Sequence, residues 1–451
     1  MVDISTLSRP FPDDVSFNAP NFSIRVGGVE VPMGIRQLVE KVEYESSDGL
    51  ADMMKVVFRD PRYVPPKGLM PRGPLGGRST GGGGVGSHLS LRDVRVFQPG
   101  NEMTLALGYG TSLKHVGRVV IRKVRPNFPR DDIPTVEVIG YTKDSAMMDN
   151  APQGPKTPNS PIYAKPETSR RRPRRGGHKK KAARLDRMFK NATFADAVRQ
   201  RGLAYNFELK VDDTHDAKHT FVQKVGLTDY DFVKGLSNIT GFFFWVDGDE
   251  TGKWTLHFRD PAKVERKELQ EKVYTFKYDH GNLGTLLEFE PELAIHNAIT
   301  KMQARVKDPK TGKIFDAIFH EENEDTPDPL AVVPDDIDGN VLDGEYKTAS
   351  SVKIFIDEYS FTAIANRRFH SEAELIQWTR QWFRRHRENF ILSTGTTIGI
   401  ETVMARQIHN ISGIGMGLDG EYFFSNVNHK LSNNAGYELE CTMRKVVPEL
   451  E

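Results

Sequence analysis

The chain has 451 residues, room for about two to four compact units, and its 62 Lys plus Arg nearly balance its 61 Asp plus Glu. That balance excludes a global field drawing it to nucleic acid or a membrane surface. With 38% hydrophobic residues, no apolar run near the ~20 residues of a membrane span and a single cysteine, neither stable membrane insertion nor a disulfide or cysteine-based zinc cluster is expected. The opening MVDISTLSRPFPDD lacks the charged-then-apolar layout of a secretory signal, and a reducing cytosol suits the composition.

Phe22, Ile24 and Val26 alternate with polar residues and predict a strand that turns at Gly27-Gly28. Strand-like sequence continues from Ile35 to Tyr44. Met54, Val56 and Phe58 alternate up to Asp60-Pro61, where Pro cannot donate to a ladder. Residues 65–87, rich in Gly and Pro, cannot build a core and are expected to be a flexible excursion. Their GGGGVG run lacks the Lys-Ser/Thr ending of a phosphate loop. Strands are expected again at 103–109, 117–124 and 135–139.

Residues 150–184 form a Pro-, Arg- and Lys-rich linker. Positive charge concentrates at Arg170, Arg171, Arg172, Arg174, Arg175, Lys179, Lys180 and Lys181. A solvated linker is the favoured reading, and an arm touching phosphate or an acidic partner is the alternative. No aromatic residues interleave to stack bases.

Residues 185–270 read as a small α/β module. Asn191 or Thr193 can start a helix through Val198. Thr228 can cap a second, with Phe232, Val233, Leu236 and Ile239 on one face and Gly241 at its end. Phe242–Val246 predicts a strand, read as core because large aromatics dominate burial. Asp247-Gly248-Asp249 predicts a turn into a return strand. On that strand Trp254, Leu256 and Phe258 face inward, while Lys253, Thr255 and His257 make a wet face.

The remainder, 271–451, is mostly β, with an acidic, Pro-containing loop at 321–345. A helix is expected at 371–389, with a Ser371–Glu374 capping box and an apolar face of Leu375, Trp378 and Trp382; Arg384, Arg385 and Arg387 favour its C-terminal end. Strands are expected at 395–403, 421–430 and 437–444. Cys441 alternates with Leu439 and Met443, as a buried small hydrophobe does.

No HExxH or phosphate-loop motif occurs. Gly77-Arg78-Ser79-Thr80-Gly81 matches a serine-elbow string but lies in the glycine-rich excursion, without the strand and helix that hold such a serine. Glu321, Glu322, Glu324 and Asp325 sit in a loop unsuited to rigid acid–base geometry. His370, His386, His409 and His429 share no ligand face. His215 and His219 have i,i+4 spacing but lack a third ligand, so a solvated pair is expected. Phe58-Arg59-Asp60-Pro61 recurs as Phe258-Arg259-Asp260-Pro261, weak support for duplication. No catalytic, cofactor-binding or metal-binding residue is assigned, and no enzyme is expected.

Residues 229–261 resemble the "sDydFl..La...G..f.v...g..l.f" module of phage late control protein D and the VgrG-type tail hubs. Val42-Glu43-Tyr44-Glu45 with Leu50-Ala51-Asp52-Met53, Leu107-Gly108-Tyr109-Gly110 and Val116-Gly117-Arg118-Val119 resemble that family's first barrel. Ile411-Ser412-Gly413-Ile414-Gly415, Gly420-Glu421-Tyr422, Val427-Asn428-His429-Lys430 and Gly436-Tyr437-Glu438-Leu439 resemble its strand-rich close. The shared order covers most of the chain apart from the two inserts.

The resemblance implies an α+β, mainly β fold, with two tube-type β-barrel domains (1–149 and 271–451) flanking the module. It implies a baseplate hub of a contractile phage tail, a homotrimer joining a six-fold tube to a three-fold spike. Implied partners are tail tube, central spike, baseplate wedge and tape-measure proteins, with DNA only in transit and no cofactor. The implied location is the virion tail baseplate, after assembly in host cytoplasm. Alternatives are a hub of a type VI secretion or extracellular injection system, and a tail-associated cell-wall hydrolase.

Overall fold

The computed structural model describes residues 19–59, 97–130, 133–149, 187–264 apart from 215, 217 and 225, then 270, 272–279, 284–293, 301–307, 314–320, 375–376, 378–379, 391–415, 418–433 and 436–446. The excursion 65–87, the linker 150–184 with its basic segment and the acidic loop 321–345 lie outside the described residues. So does most of the helix expected at 371–389, of which Leu375, Ile376, Trp378 and Thr379 are helical.

The first β block contains β1 (Pro20–Val26), β2 (Val29–Glu30), the short helix α1 (Met33–Arg36), β3 (Val39–Ser47), β4 (Met53–Arg59), β5 (Glu102–Tyr109), β6 (Ser112–Asn127) and β7 (Thr135–Tyr141), followed by α2 (Ser145–Met148). The strand expected from Ile35 begins only at Val39. Residues 33–36 make a helical turn after Pro32, and Ile35 packs into the core. Period-two burial sets the faces. Val42, Val56 and Val138 lie opposite one another on adjacent strands, fully buried, each stabilising the block by ~1.5–3 kcal/mol. Close packing fixes Gly117 on β6, because a Cβ there would lie 2.2 Å from the Tyr44 ring.

The α/β module comprises β8 (Arg187–Ala192), α3 (Phe194–Ala204), β9 (Glu208–Val211), β10 (His219–Gln223), α4 (Asp229–Thr240), β11 (Phe243–Gly248), β12 (Trp254–Arg259) and α5 (Pro261–Val264). β8 pairs with β10, and β12 lies between β11 and β9. Thr193 caps α3 in a capping box with Asp196, and the helix continues past Val198 to Ala204. The Thr228 hydroxyl accepts the Asp231 N–H at 3.0 Å, and Gly241 ends α4 at φ +79°. The hairpin turn falls later than expected, with Gly248 inside β11 and Gly252 taking the left-handed position at φ +99°. The expected wet face of β12 is also corrected: His257 is buried, because the Trp245 ring stacks on it at 4.3 Å.

The second β block contains β13 (Thr275–Lys277), β14 (Leu286–Leu293), β15 (Lys301–Lys307), β16 (Ile314–His320), β17 (Ile391–Ile398), β18 (Gln407–Ser412), β19 (Gly420–Ser432) and β20 (Gly436–Lys445). β15 and β16 form a separate hairpin. β17 stops before the expected 403, where the Gly399 N–H turns to the Tyr437 carbonyl at 2.9 Å. Spatial order is β13-β18-β19-β20-β17-β14, and the parallel bridge Tyr278–Leu286 brings the two ends together, closing a barrel.

The first block has the matching order β1-β5-β6-β7-β4-β3, and the chain visits these positions in the same succession in both blocks. Bulges match as well. β6 bulges at Arg122 where β19 bulges at Ser425, and β3 bulges at Glu40 where β14 bulges at Leu287. Aligned on these bulges, the row Lys41–Val57–Glu137–Arg125 corresponds to Glu288–Thr396–Glu440–Asn428. β1 runs antiparallel to β5 whereas β13 runs parallel to β18, the one difference in direction. The Phe-Arg-Asp-Pro echo is unrelated to this duplication: Phe58–Arg59 ends β4, whereas Phe258–Arg259 ends β12 of the module.

β3 pairs with β19, so the two blocks share one 13-stranded sheet. One apolar core runs through both, from Ile24, Tyr44 and Leu105 to Phe276, Phe424 and Met443. The module keeps its own core around Phe242, Phe244, Leu256 and Phe258. The fold is α+β and mainly β.

Candidate functional site

The β3–β19 junction forms because β19 changes neighbours along its length. Its first half pairs with β18; past the bulge at Ser425, its second half pairs with β3. Opposite residues are Asn426 and Ser47, Asn428 and Glu45, Lys430 and Glu43, and Ser432 and Lys41. The outer face of this sheet is polar across both blocks. One row reads Glu288, Thr396, Glu440, Asn428, Glu45, and beside it a shallow groove of about 410 Å³ also exposes Glu290, Thr394 and Thr442.

Charge on this face is compensated toward the first block. Lys41 lies 2.6 Å from Glu43, and Lys55 bridges Glu43 at 3.3 Å and Glu137 at 3.2 Å. Arg125 reaches Glu137 at 3.1 Å, and Lys430 pairs with Glu440. Burial pushes the Glu43 carboxyl up, but Lys41 and Lys55 outweigh it and hold the group below its ordinary value. Burial likewise disfavours the Lys55 charge, and Glu137 and Glu43 more than restore it. Toward β14 the face carries Glu288, Glu290 and Glu292, all exposed.

Beneath the sheet, Arg406 ties three parts of the molecule together. It sits in a left-handed conformation (φ +69°) at the start of β18, with its N–H bonded to the Phe424 carbonyl at 2.7 Å. Its guanidinium donates to the Ser47 carbonyl and, at 3.1 Å, to the Ser46 hydroxyl of β3. The same group lies 3.7 Å from Asp52 and over the Trp245 ring of the module. Asp52 also accepts the Tyr44 and Ser46 hydroxyls, each at 3.2 Å, and the Ser47 N–H at 3.1 Å. Burial raises the Asp52 carboxyl, with Arg406 and these donors offsetting part of the rise.

The aromatic run divides between two cores because successive strand residues face opposite ways. Phe242 and Phe244 enter the module core. Phe243 stacks on Phe423 of β19 at 5.6 Å and packs near Ile408, with Trp245 beside it. On the other side the module meets the first block: the Trp254 indole N–H donates to Glu102 at 3.1 Å, and Arg118 donates to the Glu250 carbonyl at 3.1 Å. These contacts brace the module against both blocks.

None of the residues weighed for chemistry converges on a reactive centre among those described. His409 and His429 are buried apart from each other. His429 sits between the Tyr437 hydroxyl and the Val403 carbonyl, each at 2.8 Å. His409 Nδ1 accepts the Tyr274 N–H at 3.3 Å. Burial lowers both, His409 to about 3 and His429 to about 4, so both are neutral pins of the second block. His219 lies on β10 against Phe194 and Phe221, not on a helix, with Asp216 at 3.7 Å. His215, Ser79, the acidic residues 321–325 and all eight residues of the basic segment lie outside the described residues. Burial raises the Cys441 thiol, as befits the apolar position expected for it. Arg406 carried no sequence signal for its role, because its partners Ser47 and Ser46 lie 359 and 360 residues away.

No family model and no curated protein matches the sequence. Solved structures do match. A tail protein from Neisseria meningitidis MC58 aligns with TM-score 0.53 at 12% identity, covering 95% of this chain and 96% of that one. The 43 kDa tail protein of prophage MuSo2 from Shewanella oneidensis aligns with TM-score 0.56 at 10% identity, covering 95% of this chain and 98% of that one. At these identities the likeness speaks for the fold alone, and this chain has the fold of these two tail proteins.

Proposed function

We propose that the chain is a structural hub of a phage tail baseplate, three copies of which form a ring between a six-fold tail tube and a three-fold spike. The observation that carries this reading is the pairing of two matching β blocks into one sheet through β3 and β19. Two equivalent blocks per chain let three chains present six similar units, which reconciles the two symmetries. The fold shared with phage tail proteins supports the same setting. The role is mechanical. The polar sheet face suits the wall of a conduit for DNA and tape-measure protein. Quantitative mass spectrometry of purified tails tests this: three copies per tail are expected, and absence of the chain from mature tails overturns it.

A further inference from the structure

The first β block reaches into the module through α2. Met147 of this short helix is fully buried in the module core, which Tyr230, Phe232 and Val233 of α4 also build, and α2 lies against α4. Asp144, the residue before α2, is buried at this seam and makes no side-chain cap to the helix. Its carboxyl accepts the Thr142 hydroxyl at 2.8 Å. The Thr142 N–H in turn donates to the backbone carbonyl of a second buried acid, Asp52, at 3.0 Å.

The two acids are provided for unequally. Asp52 has Arg406 at 3.7 Å and accepts from Tyr44, Ser46 and Ser47. Among the described residues no cation pairs with Asp144. Arg122 of β6 comes as near as the Ser145 hydroxyl, at 3.2 Å, and pairs with Asp149 at 2.6 Å. Lys143 holds its ammonium over the Trp254 ring at 5.7 Å. From α4 the seam is faced by Tyr230, with Asp231 exposed beyond it, while Lys234 extends toward Gly49 after β3. A neutral carboxyl with one good donor is buried here at modest cost, whereas an ionised one without a cation is costly.

We propose that Asp144 is a proton-controlled latch on the seam between α2 and α4: protonated, it keeps Met147 seated in the module core, and ionised, it loosens α2 from the module while the sheet of the first block stays paired. Burial raises the carboxyl to about 7; the Thr142 hydroxyl offsets part of the rise and Asp52 adds to it. A folded value above the ordinary 3.8 means that the latch is fully closed in acid and is lost as pH rises through about 7. His409 and His429 lie in the second block and are lowered by burial, so they act there and in the opposite direction.

Hydrogen exchange of the full chain, with intrinsic rates divided out, tests the latch. Protection of α2 and α4 is expected to fall about tenfold per pH unit from about pH 5 to about pH 6.5 and to level off above about pH 7, while β4 and β7 keep theirs. Asp144→Asn is expected to abolish this slope. Thr142→Val removes the donor that favours the ionised form, and is expected to move the levelling point to higher pH. A slope at α2 and α4 that survives Asp144→Asn, a slope spread equally over β4 and β7, or a levelling point unmoved by Thr142→Val would overturn the proposal.

Discussion

The Arg406 guanidinium lies over the Trp245 ring, its central carbon 4.6 Å from the ring centroid. The same guanidinium is bonded to Ser46 and Ser47 of the first block while its backbone belongs to the second. One side chain thus reports whether both blocks and the module are in register. Arg406→Ala is expected to cost about 3–5 kcal/mol, because Asp52 is left buried without its cation. Arg406→Lys recovers only part, since an ammonium cannot fork between two oxygens and stack on an indole. Arg406→Gly loses about 1 kcal/mol less than Arg406→Ala, because glycine accepts φ +69°. Chemical denaturation of the three variants checks the order.

Phe242 and Phe243 are adjacent and serve different contacts. Phe242→Ala is expected to destabilise the module itself by about 3–5 kcal/mol, through loss of buried area and a cavity. Phe243→Ala removes the stack on Phe423 and loosens the module from β19, with the module core intact. Hydrogen exchange separates the two: Phe242→Ala deprotects α4 and β12, while Phe243→Ala deprotects the contact at Ile408 and Phe423. Identical exchange maps for the two variants would contradict the division.

Acid sensitivity follows from the buried histidines. His429 has a folded value near 4, below the ordinary 6.5, so below neutral pH the unfolded chain binds a proton that the folded chain excludes. Its contribution is present above about 6.5 and is lost as pH falls toward about 4, amounting to at most about 3 kcal/mol. His409, lowered to about 3, acts in the same direction and continues further into acid. His429→Gln is expected to flatten this limb in denaturation series run from about pH 7 to about pH 4. An unchanged slope would count against the buried neutral assignment.

Asp144 gives the opposite slope. Burial, with Asp52 nearby, raises its carboxyl to about 7, and the Thr142 hydroxyl donating at 2.8 Å offsets only part of the rise. The folded chain then holds a proton that the unfolded chain releases above its ordinary 3.8, so this contribution is full below about 3.8 and is lost as pH rises through about 7. Asp144→Asn keeps an acceptor for Thr142 without titrating. It is expected to gain stability relative to the native chain as pH rises from about 4 to about 8, and a constant difference across that range would contradict the assignment.

Local rules made the module legible. Thr228, Gly241 and the Phe232–Ile239 face specified α4 because caps and period act over a few residues. Alternation located β4, β5, β7 and β20 for the same reason. Pairing between distant strands left no local trace. Nothing at Ser425 or Arg122 announces a bulge, and the equivalence of β6 with β19 emerges only from registers that span the chain. The burial of His257 depends on Trp245 across the hairpin, so a period-two pattern placed it in water. The β3–β19 junction was invisible for the same reason: its two strands are separated by almost the whole sequence.

The central claim is that three copies build one ring from six matching blocks. The symmetry of that ring in an electron-microscopy reconstruction of the assembled tail tests it most directly. The account predicts three copies, each contributing both blocks, joined inside each chain through the β3–β19 junction. Six copies in the ring, or three copies with only one block each in it, would contradict the account.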